Sequence, residues 1–308
     1  MAYDLIIVGG SASAVAAGIY AARRKLNFII ITKEFGGEVV MSGEIENYPG
    51  YPKTSGIELS EKFKEHLASQ RVVPETGVLV KNISKKKNLF ILETDKKGKP
   101  ATYEARSVII ATGVRPRQLG VPGEEEFRGK GVSYCTVCDG PLFRNKIVAT
   151  VGGGNSALES ALMLSPIASK VYLLVINPEF KGETTLIDKV KADQNIEIIY
   201  NAETVKIYGE RVVTALEYKV KDSPETKKLE VGGIFVHVGN IPNSQMVDLV
   251  EKNKFNEIIV DRLGKTNIDG IFAAGDVTDT PYKQIAIATG MGVTAALSSV
   301  SYLNNLKE

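Results

Sequence analysis

Two cysteines occur in this 308-residue chain, and both lie in the segment Cys135-Thr136-Val137-Cys138-Asp139-Gly140. Two thiols at this spacing can close a small disulfide ring, and the neighbouring carboxyl group of Asp139 can supply the proton that a leaving thiolate needs. In a reducing compartment such a pair is more often catalytic or metal-binding than structural. We therefore predict a redox-active pair, with Cys135, Cys138 and Asp139 as the catalytic residues.

Two other uses of the cysteine pair are disfavoured. Tetrahedral zinc usually needs four ligands, and the only histidines that could complete the set are His66 and His237. A purely structural disulfide would gain little, because a loop this short removes little entropy from the unfolded chain. No bound metal is expected.

A glycine-rich turn near the N-terminus indicates a nucleotide site. The apolar residues 5–8 lead into Gly9-Gly10-Ser11-Ala12-Ser13-Ala14, which opens an alanine-rich helix reaching about Arg24. Such a turn lets a pyrophosphate approach backbone N–H groups at the positive end of a helix dipole. Ser11 replaces the second glycine of the motif, and its hydroxyl group adds a donor near the phosphate. Taken alone, the motif fits a tight strand-to-helix turn equally well.

Three further features favour the nucleotide interpretation. Glu34 is expected at the end of the second strand, where it could bind a ribose hydroxyl group. The turns Ala111-Thr112-Gly113 and Gly275-Asp276 each follow a short apolar strand. Together with the first turn, they predict one dinucleotide-binding domain.

A second unit of the same kind begins at residue 147. Its apolar strand leads into Gly152-Gly153-Gly154-Asn155-Ser156-Ala157, a helix that ends near Pro166, and another strand over residues 171–176. The candidate residues for a nicotinamide dinucleotide are Gly152, Gly154, Asn155 and Ser156. The lone Glu159 on the helix is assigned no role.

The order of these units predicts an α/β fold with two Rossmann-like domains, the second inserted in the first. Near-continuous apolar strands that lead into helices indicate parallel sheets covered on both faces. The late strand and turn over residues 270–276, and a terminal helix from about Gln284, belong with the first domain. The boundaries are therefore 1–115 and 246–308 for the first domain and 116–245 for the second. The polar, lysine-rich residues 84–99 are expected to form exposed hairpins.

The composition of the chain argues against two classes of partner. The chain has 44% hydrophobic and 24% charged residues and a formal net charge of +2, too small to argue for a nucleic-acid or membrane partner. The first residues lack the basic flank and long apolar core of a signal peptide, and no apolar run approaches the length of a membrane span. A cytoplasmic location is expected.

The cysteine segment, placed between two dinucleotide folds, resembles that of the low-molecular-weight thioredoxin reductases, and the likeness covers essentially the whole chain. The supporting segments are Gly36-Gly37, Asn47-Tyr48-Pro49-Gly50, Ala111-Thr112-Gly113, Gly152-Gly153-Gly154-Asn155-Ser156-Ala157, Ala273-Ala274-Gly275-Asp276 and Lys283-Gln284.

The resemblance implies FAD in the first domain and a role for each catalytic residue. Cys138 faces the flavin, Cys135 attacks the disulfide of thioredoxin, and Asp139 is the general acid. It also implies a homodimer whose inserted domain rotates between flavin and thioredoxin. Glu38 stands where the family has glutamine, which puts a negative charge near the flavin. The implied FAD site comprises Gly9, Gly10, Ser11, Ala12, Ser13, Glu34, Gly36, Gly37, Glu38, Asn47, Val80, Ala111, Thr112, Gly113, Gly275, Asp276, Lys283, Gln284 and Ile285.

The electron donor is where the resemblance breaks. NADPH-using members carry His-Arg-Arg-Asp-x-Phe-Arg after the second strand of the second domain, whereas this chain has Val175-Ile176-Asn177-Pro178-Glu179-Phe180-Lys181. Loss of two charged hydrogen bonds could weaken NADPH binding by roughly two to four orders of magnitude. No acidic residue stands at the strand end to favour NADH, and Glu179 and Lys181 are weaker candidates to bind this part of the nucleotide. Ferredoxin or a reduced deazaflavin is the alternative donor.

The expected function is a flavin-dependent thioredoxin-disulfide reductase that acts on thioredoxin or a thioredoxin-like protein. The alternative is a flavoprotein redox module with another acceptor, such as a glutaredoxin-like or peroxide-reducing partner. A purely structural or binding protein would have no use for a Cys-x-x-Cys-Asp motif beside a flavin-binding fold.

Overall fold

The computed structural model describes residues 2–42, 44–221, 223 and 225–306. The chain forms two compact units, the first comprising Met1–Met41, Asn47–Arg115 and Ile241–Glu308, and the second Ser42–Glu46 and Pro116–Asn240. The second unit ends five residues before the boundary expected at residue 245. The reason is that Asn243 is hydrogen-bonded to Thr112 and Gly113, both in the first unit.

The helices of the described residues are mostly short, and the longest is the last. They are α1 (Ala12–Arg23), α2 (Glu38–Met41), α3 (Gly56–Ser69), α4 (Thr136–Asp139), α5 (Asn155–Leu164), α6 (Thr184–Ala192) and α7 (Ile285–Asn305), with a 3-10 turn over Gly140–Phe143.

The strands outnumber these helices, and several follow one another without a helix between them. They are β1 (Tyr3–Val8), β2 (Phe28–Thr32), β3 (Glu44–Ile45), β4 (Thr54–Ser55), β5 (Glu75–Thr76), β6 (Val78–Lys86), β7 (Leu89–Lys96), β8 (Lys99–Ile110), β9 (Val114–Pro116), β10 (Val132–Ser133), β11 (Ile147–Val151), β12 (Lys170–Val175), β13 (Ile196–Tyr200), β14 (Ala202–Gly209), β15 (Val213–Val220), β16 (Thr226–Glu230), β17 (Gly233–Val236), β18 (Asn240–Pro242) and β19 (Ile271–Ala273).

The first unit is built on a seven-stranded sheet in the order β5-β2-β1-β8-β7-β6, with β19 also paired to β8. β1 runs parallel to β2 and β8, and its apolar residues are fully buried, as its near-continuous apolar sequence predicts. The lysine-rich stretch predicted as exposed hairpins forms the antiparallel β6-β7-β8 part of this sheet. The late strand β19 belongs to this sheet, as expected.

Helix α7 packs closely on α1 within the first unit. A methyl group at Gly292 would lie 2.1 Å from the Ser13 carbonyl oxygen, so only glycine allows this approach. By length and composition alone α7 could cross a membrane, and a third of its most apolar window is buried in the fold. Core helices of globular proteins share this length and composition.

The second unit contains a five-stranded parallel sheet, β10-β17-β11-β12-β13, and a three-stranded antiparallel sheet, β14-β15-β16. The carboxyl ends of parallel strands meet at one edge of a sheet, where ligands bind in open α/β folds. At that edge Cys135 follows β10, Gly152 follows β11 and His237 follows β17. The predicted α/β class with two Rossmann-like units is confirmed.

Candidate functional site

The first glycine-rich turn packs too closely on its neighbours for a side chain at either glycine. Gly9 has a φ of +134°, and a methyl group there would lie 2.1 Å from the Ala111 carbonyl oxygen. At Gly10 the added carbon would lie 2.8 Å from the Thr32 side chain. The backbone of this turn is therefore bare where α1 begins, as a pyrophosphate site requires.

The Ser11 hydroxyl group has a hydrogen-bond partner within the protein. It donates to the Gly36 carbonyl oxygen at 2.7 Å, and the Gly36 N–H donates back to the Gly10 carbonyl oxygen at 2.8 Å. As the N-cap of α1, Ser11 makes no side-chain hydrogen bond to the helix. The first N–H groups of α1 are thus not capped by Ser11, which instead ties the Gly36-Gly37 loop to the turn.

Asp276 carries the clearest sign of a missing polar ligand. Its Oδ1 atom is buried and has no hydrogen-bond partner, although such atoms are nearly always satisfied in folded proteins. Burial raises the pKa of Asp276 to about 6; Lys283 opposes this rise and Glu38 adds to it. A hydroxyl-bearing ligand that donates to Oδ1 would remove this penalty.

Several other predicted FAD residues lie in the first unit in positions that link its loops. The Thr112 hydroxyl group donates to the Asn243 carbonyl oxygen at 2.5 Å, and Gln284, the N-cap of α7, accepts from the Asn47 amide at 3.2 Å. Lys283 donates to the Thr278 carbonyl oxygen at 2.6 Å and pairs with Glu257 at 2.9 Å.

The remaining predicted contacts are less constrained. Glu34 lies two residues beyond the end of β2; its side chain is 79% exposed and pairs with Lys33 at 3.5 Å. Val80 is buried in β6 within the apolar core of the sheet. The first unit as a whole fits FAD, because it combines a bare phosphate turn with an unsatisfied buried carboxylate oxygen.

The cysteine pair lies in the second unit and forms a disulfide with a Cα–Cα distance of 5.3 Å. Cys135 is the N-cap of α4, and its sulfur accepts a hydrogen bond from the Cys138 N–H at 3.3 Å. Both cysteines are half-buried, while Val137 between them is exposed. The pair is therefore oxidised and partly exposed to solvent.

Asp139 adjoins the disulfide as the last residue of α4. Its Oδ2 atom accepts from the Ser133 hydroxyl group at 2.6 Å, and its Oδ1 atom is buried without a partner. Burial raises the pKa of Asp139, and the Ser133 hydrogen bond lowers it. A carboxyl group with a raised pKa holds its proton closer to neutral pH, as a general acid must.

His237, which was considered from the sequence only as a zinc ligand, contacts α4, the short helix at the cysteine pair. Its Nε2 atom is 2.8 Å from the Thr136 hydroxyl group, which is 2.6 Å from that of Ser160. Ser160 in turn lies 3.4 Å from the Thr150 hydroxyl group. Burial lowers the pKa of His237 to about 4, so the imidazole is neutral at neutral pH. Sequence spacing cannot reveal this network, because its members are far apart in the chain.

The second glycine-rich turn is also closely packed at its first glycine. Gly152 has a φ of +148°, and a methyl group there would lie 2.3 Å from the His237 carbonyl oxygen. Asn155 is held by the loop that follows β12: its side chain accepts from the Glu183 N–H at 2.8 Å and donates to the Glu183 carboxylate at 3.0 Å. The Lys181 N–H donates to the Gly153 carbonyl oxygen at 2.8 Å.

The positions expected to bind a 2'-phosphate are neutral. Strand β12 ends at Val175, and the next side chain, Ile176, is 60% exposed. Asn177 follows and accepts a backbone hydrogen bond from Asn201. In the part of the chain that the structure describes, no group of three or more His, Cys, Asp or Glu side chains could hold a metal ion.

Residues 3–292 match the model of the pyridine nucleotide-disulphide oxidoreductase family. The chain belongs to this family. The pyridine nucleotide-disulphide oxidoreductases are flavoproteins, so the chain is an oxidoreductase with FAD as its cofactor.

Solved and curated relatives narrow the resemblance. A thioredoxin reductase from Streptococcus pyogenes MGAS5005 has a crystal structure with a TM-score of 0.91, 36% sequence identity and 99% coverage of both chains. The resemblance to low-molecular-weight thioredoxin reductases is thus confirmed within the pyridine nucleotide-disulphide oxidoreductase family. An alkyl hydroperoxide reductase of Escherichia coli (strain K12) is 42% identical over 99% of this chain and 59% of its own length. An NADH dehydrogenase of Bacillus subtilis (strain 168) is 39% identical over 98% of this chain and 58% of its own length. The chain therefore spans about six tenths of the curated relatives that it matches.

Proposed function

We propose that the protein is an FAD-dependent thioredoxin-disulfide reductase in which Cys135 and Cys138 pass electrons to a thioredoxin or thioredoxin-like protein. The observation that carries the proposal is the Cys135–Cys138 disulfide at α4 with the buried carboxyl group of Asp139 beside it. A pair of this kind has no structural purpose in so short a loop.

The residues of the first unit would hold FAD by two features. The bare turn at Gly9 and Gly10 and the N-terminus of α1 would bind the pyrophosphate, and the free Oδ1 atom of Asp276 would accept from a hydroxyl group of the cofactor. Once bound and reduced by a donor, the flavin would supply the electron pair that reduces the disulfide. Glu38 adds a negative charge to this environment.

The chain's own residues then perform the exchange. The Cys135 thiolate attacks one sulfur of the partner's disulfide; a mixed disulfide forms, and the released partner thiolate takes a proton from Asp139. The Cys138 thiolate next attacks the Cys135 sulfur, which restores the internal disulfide and releases the second partner sulfur as a thiolate that takes its proton from water. Two electrons leave the pair and two thiols appear on the partner.

A second acceptor class is supported by the curated relatives. The Escherichia coli alkyl hydroperoxide reductase is longer than this chain, which matches about six tenths of it. A glutaredoxin-like or peroxide-reducing partner is therefore the alternative to thioredoxin. We further propose a homodimer in a reducing, cytoplasmic setting, with NAD(P)H, ferredoxin or a reduced deazaflavin as the donor.

The test separates acceptor from donor. FAD-loaded protein is reduced with dithionite under argon and mixed with oxidised bacterial thioredoxin, and new thiols on thioredoxin are counted. Wild type should transfer two electrons, whereas Cys135→Ser and Cys138→Ser should each lower the transfer at least about 100-fold while flavin absorbance is retained, because the pair lies outside the unit proposed to hold FAD. Retained transfer in either variant would exclude the pair as the redox centre.

A further inference from the structure

Ser133 is the last residue of β10 and connects the acid to the backbone of the first cysteine. It is 5% exposed, and its hydroxyl oxygen lies 2.6 Å from the Asp139 Oδ2 atom. The same oxygen accepts from the Cys135 N–H at 3.1 Å and lies 3.3 Å from the Cys135 carbonyl oxygen. One buried hydroxyl group thus contacts both the acid, Asp139, and the first cysteine, Cys135.

This hydroxyl group has one proton and two possible acceptors. When Asp139 is ionised, a short charge-assisted bond to Oδ2 is favoured over the longer approach to the Cys135 carbonyl oxygen. When Asp139 is protonated at Oδ2, its O–H can donate to the Ser133 oxygen, and the serine proton is left for the Cys135 carbonyl oxygen. The hydrogen bond between Ser133 and Asp139 therefore persists in both states and only its direction changes.

The other carboxylate oxygen of Asp139, Oδ1, does not help to orient the side chain. Asp139 Oδ1 is buried without a partner, and among the described residues the side chain of Asp139 has one hydrogen bond, from Ser133. Burial raises the pKa of Asp139 and the hydrogen bond from Ser133 lowers it, while the adjoining disulfide sulfurs do not titrate. The orientation of the acid thus depends on Ser133.

We propose that Ser133 is the positioning residue for Asp139, holding its carboxyl group beside the cysteine pair and reversing the direction of their hydrogen bond each time the acid gives up or regains its proton. This rests on the proposed function, in which Asp139 protonates the partner's leaving thiolate. In that step the carboxyl O–H bond breaks and an S–H bond forms, while the serine O–H turns from the Cys135 carbonyl oxygen to Asp139 Oδ2. No electron moves through Ser133.

The experiment observes Asp139 directly in the oxidised holoenzyme. The infrared C=O band of the protonated carboxyl group, identified by its absence from Asp139→Asn, is followed across a pH titration. Removing a hydrogen bond to the ionised form raises the pKa of the acid, so the band should persist to higher pH in Ser133→Ala. Ser160→Ala is the matched control, since Ser160 is equally buried and contacts α4 through Thr136 without a bond to Asp139.

A second measurement uses the dithionite-reduced protein and oxidised thioredoxin. Transfer should slow about tenfold in Ser133→Ala, because one hydrogen bond to a charged group is lost. Ser160→Ala should keep the wild-type titration. Should Ser133→Ala fail to fold, Ser133→Thr and Ser133→Val make the same comparison, as they differ only in the hydroxyl group.

The outcomes are distinct. An unchanged infrared midpoint in a folded variant without the hydroxyl group overturns the proposal for Ser133. A shifted midpoint with no transfer from wild type to thioredoxin supports the role of Ser133 on Asp139 and refutes thioredoxin as the acceptor.

Discussion

Asp276 is placed where it weakens the fold of the flavin-free protein. Its folded pKa is about 6, above the ordinary 3.8, because the carboxylate is buried. The unfolded chain releases this proton at lower pH than the folded chain does. Below about pH 4 the carboxyl group is protonated in both states, and its contribution to stability is complete. As the pH rises through 6 this contribution is lost, which lowers the free energy of unfolding by at most about 3 kcal/mol.

Asp276→Asn should separate stability from cofactor binding. The apoprotein of the variant should exceed wild type in free energy of unfolding by up to about 3 kcal/mol at pH 7, with little difference near pH 4. FAD affinity should fall about tenfold or more, since an amide replaces a charged acceptor. Urea unfolding of the apoproteins and flavin titration measure the two effects. A variant less stable than wild type at pH 7 would show that the carboxylate is satisfied in the free protein.

At the residue scale, the sequence predicts the groups that adjoin a motif but not the groups that folding brings next to it. Cys135, Cys138 and Asp139 are neighbours in the chain, so their spacing alone predicts their chemistry. Ser133 is also close by, yet serine is too common to signal a role. The direction of the Ser11 hydroxyl group could not be predicted, because its partner, Gly36, is brought to it by the fold.

At the scale of elements, α4 is a single helical turn whose position depends on the side chains packed against it. Its first residue, Thr136, is fixed by His237 and by Ser160 on α5. The folded pKa of His237 is about 4, below the ordinary 6.5, because burial penalises the charged ring. Its contribution to stability is therefore present above pH 6.5 and lost as pH falls through 4.

His237→Gln should remove this dependence while keeping a side chain that can bond to Thr136. Between pH 7.5 and pH 4, wild type should lose at most about 3 kcal/mol of unfolding free energy that the variant does not lose. Thermal unfolding across this range measures the difference. His66→Gln, at an exposed position on α3, is the matched control and should follow wild type. Equal slopes for His237→Gln and wild type would mean that the imidazole can accept a proton in place.

The elements themselves were predicted where one pattern dominated. The apolar runs of β1 and β11 predicted buried parallel strands, and a helix follows each of the two turns as expected, beginning at Ala12 and at Asn155. The three-stranded sheet β14-β15-β16 was not predicted, because its strands mix buried and exposed residues. The end of the second unit depends on the hydrogen bonds of Asn243, which no local pattern encodes.

At the scale of the whole molecule, the charge beside the second glycine-rich turn bears on how electrons enter. The turn at Gly152 is closely packed, and the loop after β12 is bound back to it through Lys181 and Glu183. A 2'-phosphate needs fixed cationic donors to replace its water, and arginine meets that need best. At the strand end stand Ile176, exposed and apolar, and Asn177, neutral.

We therefore predict that NADPH reduces the bound flavin poorly, and that Ile176→Arg combined with Asn177→Arg lowers the NADPH KM about tenfold or more. NADH lacks the 2'-phosphate, so its KM should change much less. The control places two arginines at Met163 and Val212, exposed positions of the same unit, and should leave both constants near wild type. Anaerobic flavin bleaching with NADPH, NADH and reduced ferredoxin offered separately identifies the natural donor. If wild type already turns over NADPH with low-micromolar affinity, the strand-end argument is wrong, and Lys181 is the first basic side chain to test as the phosphate ligand.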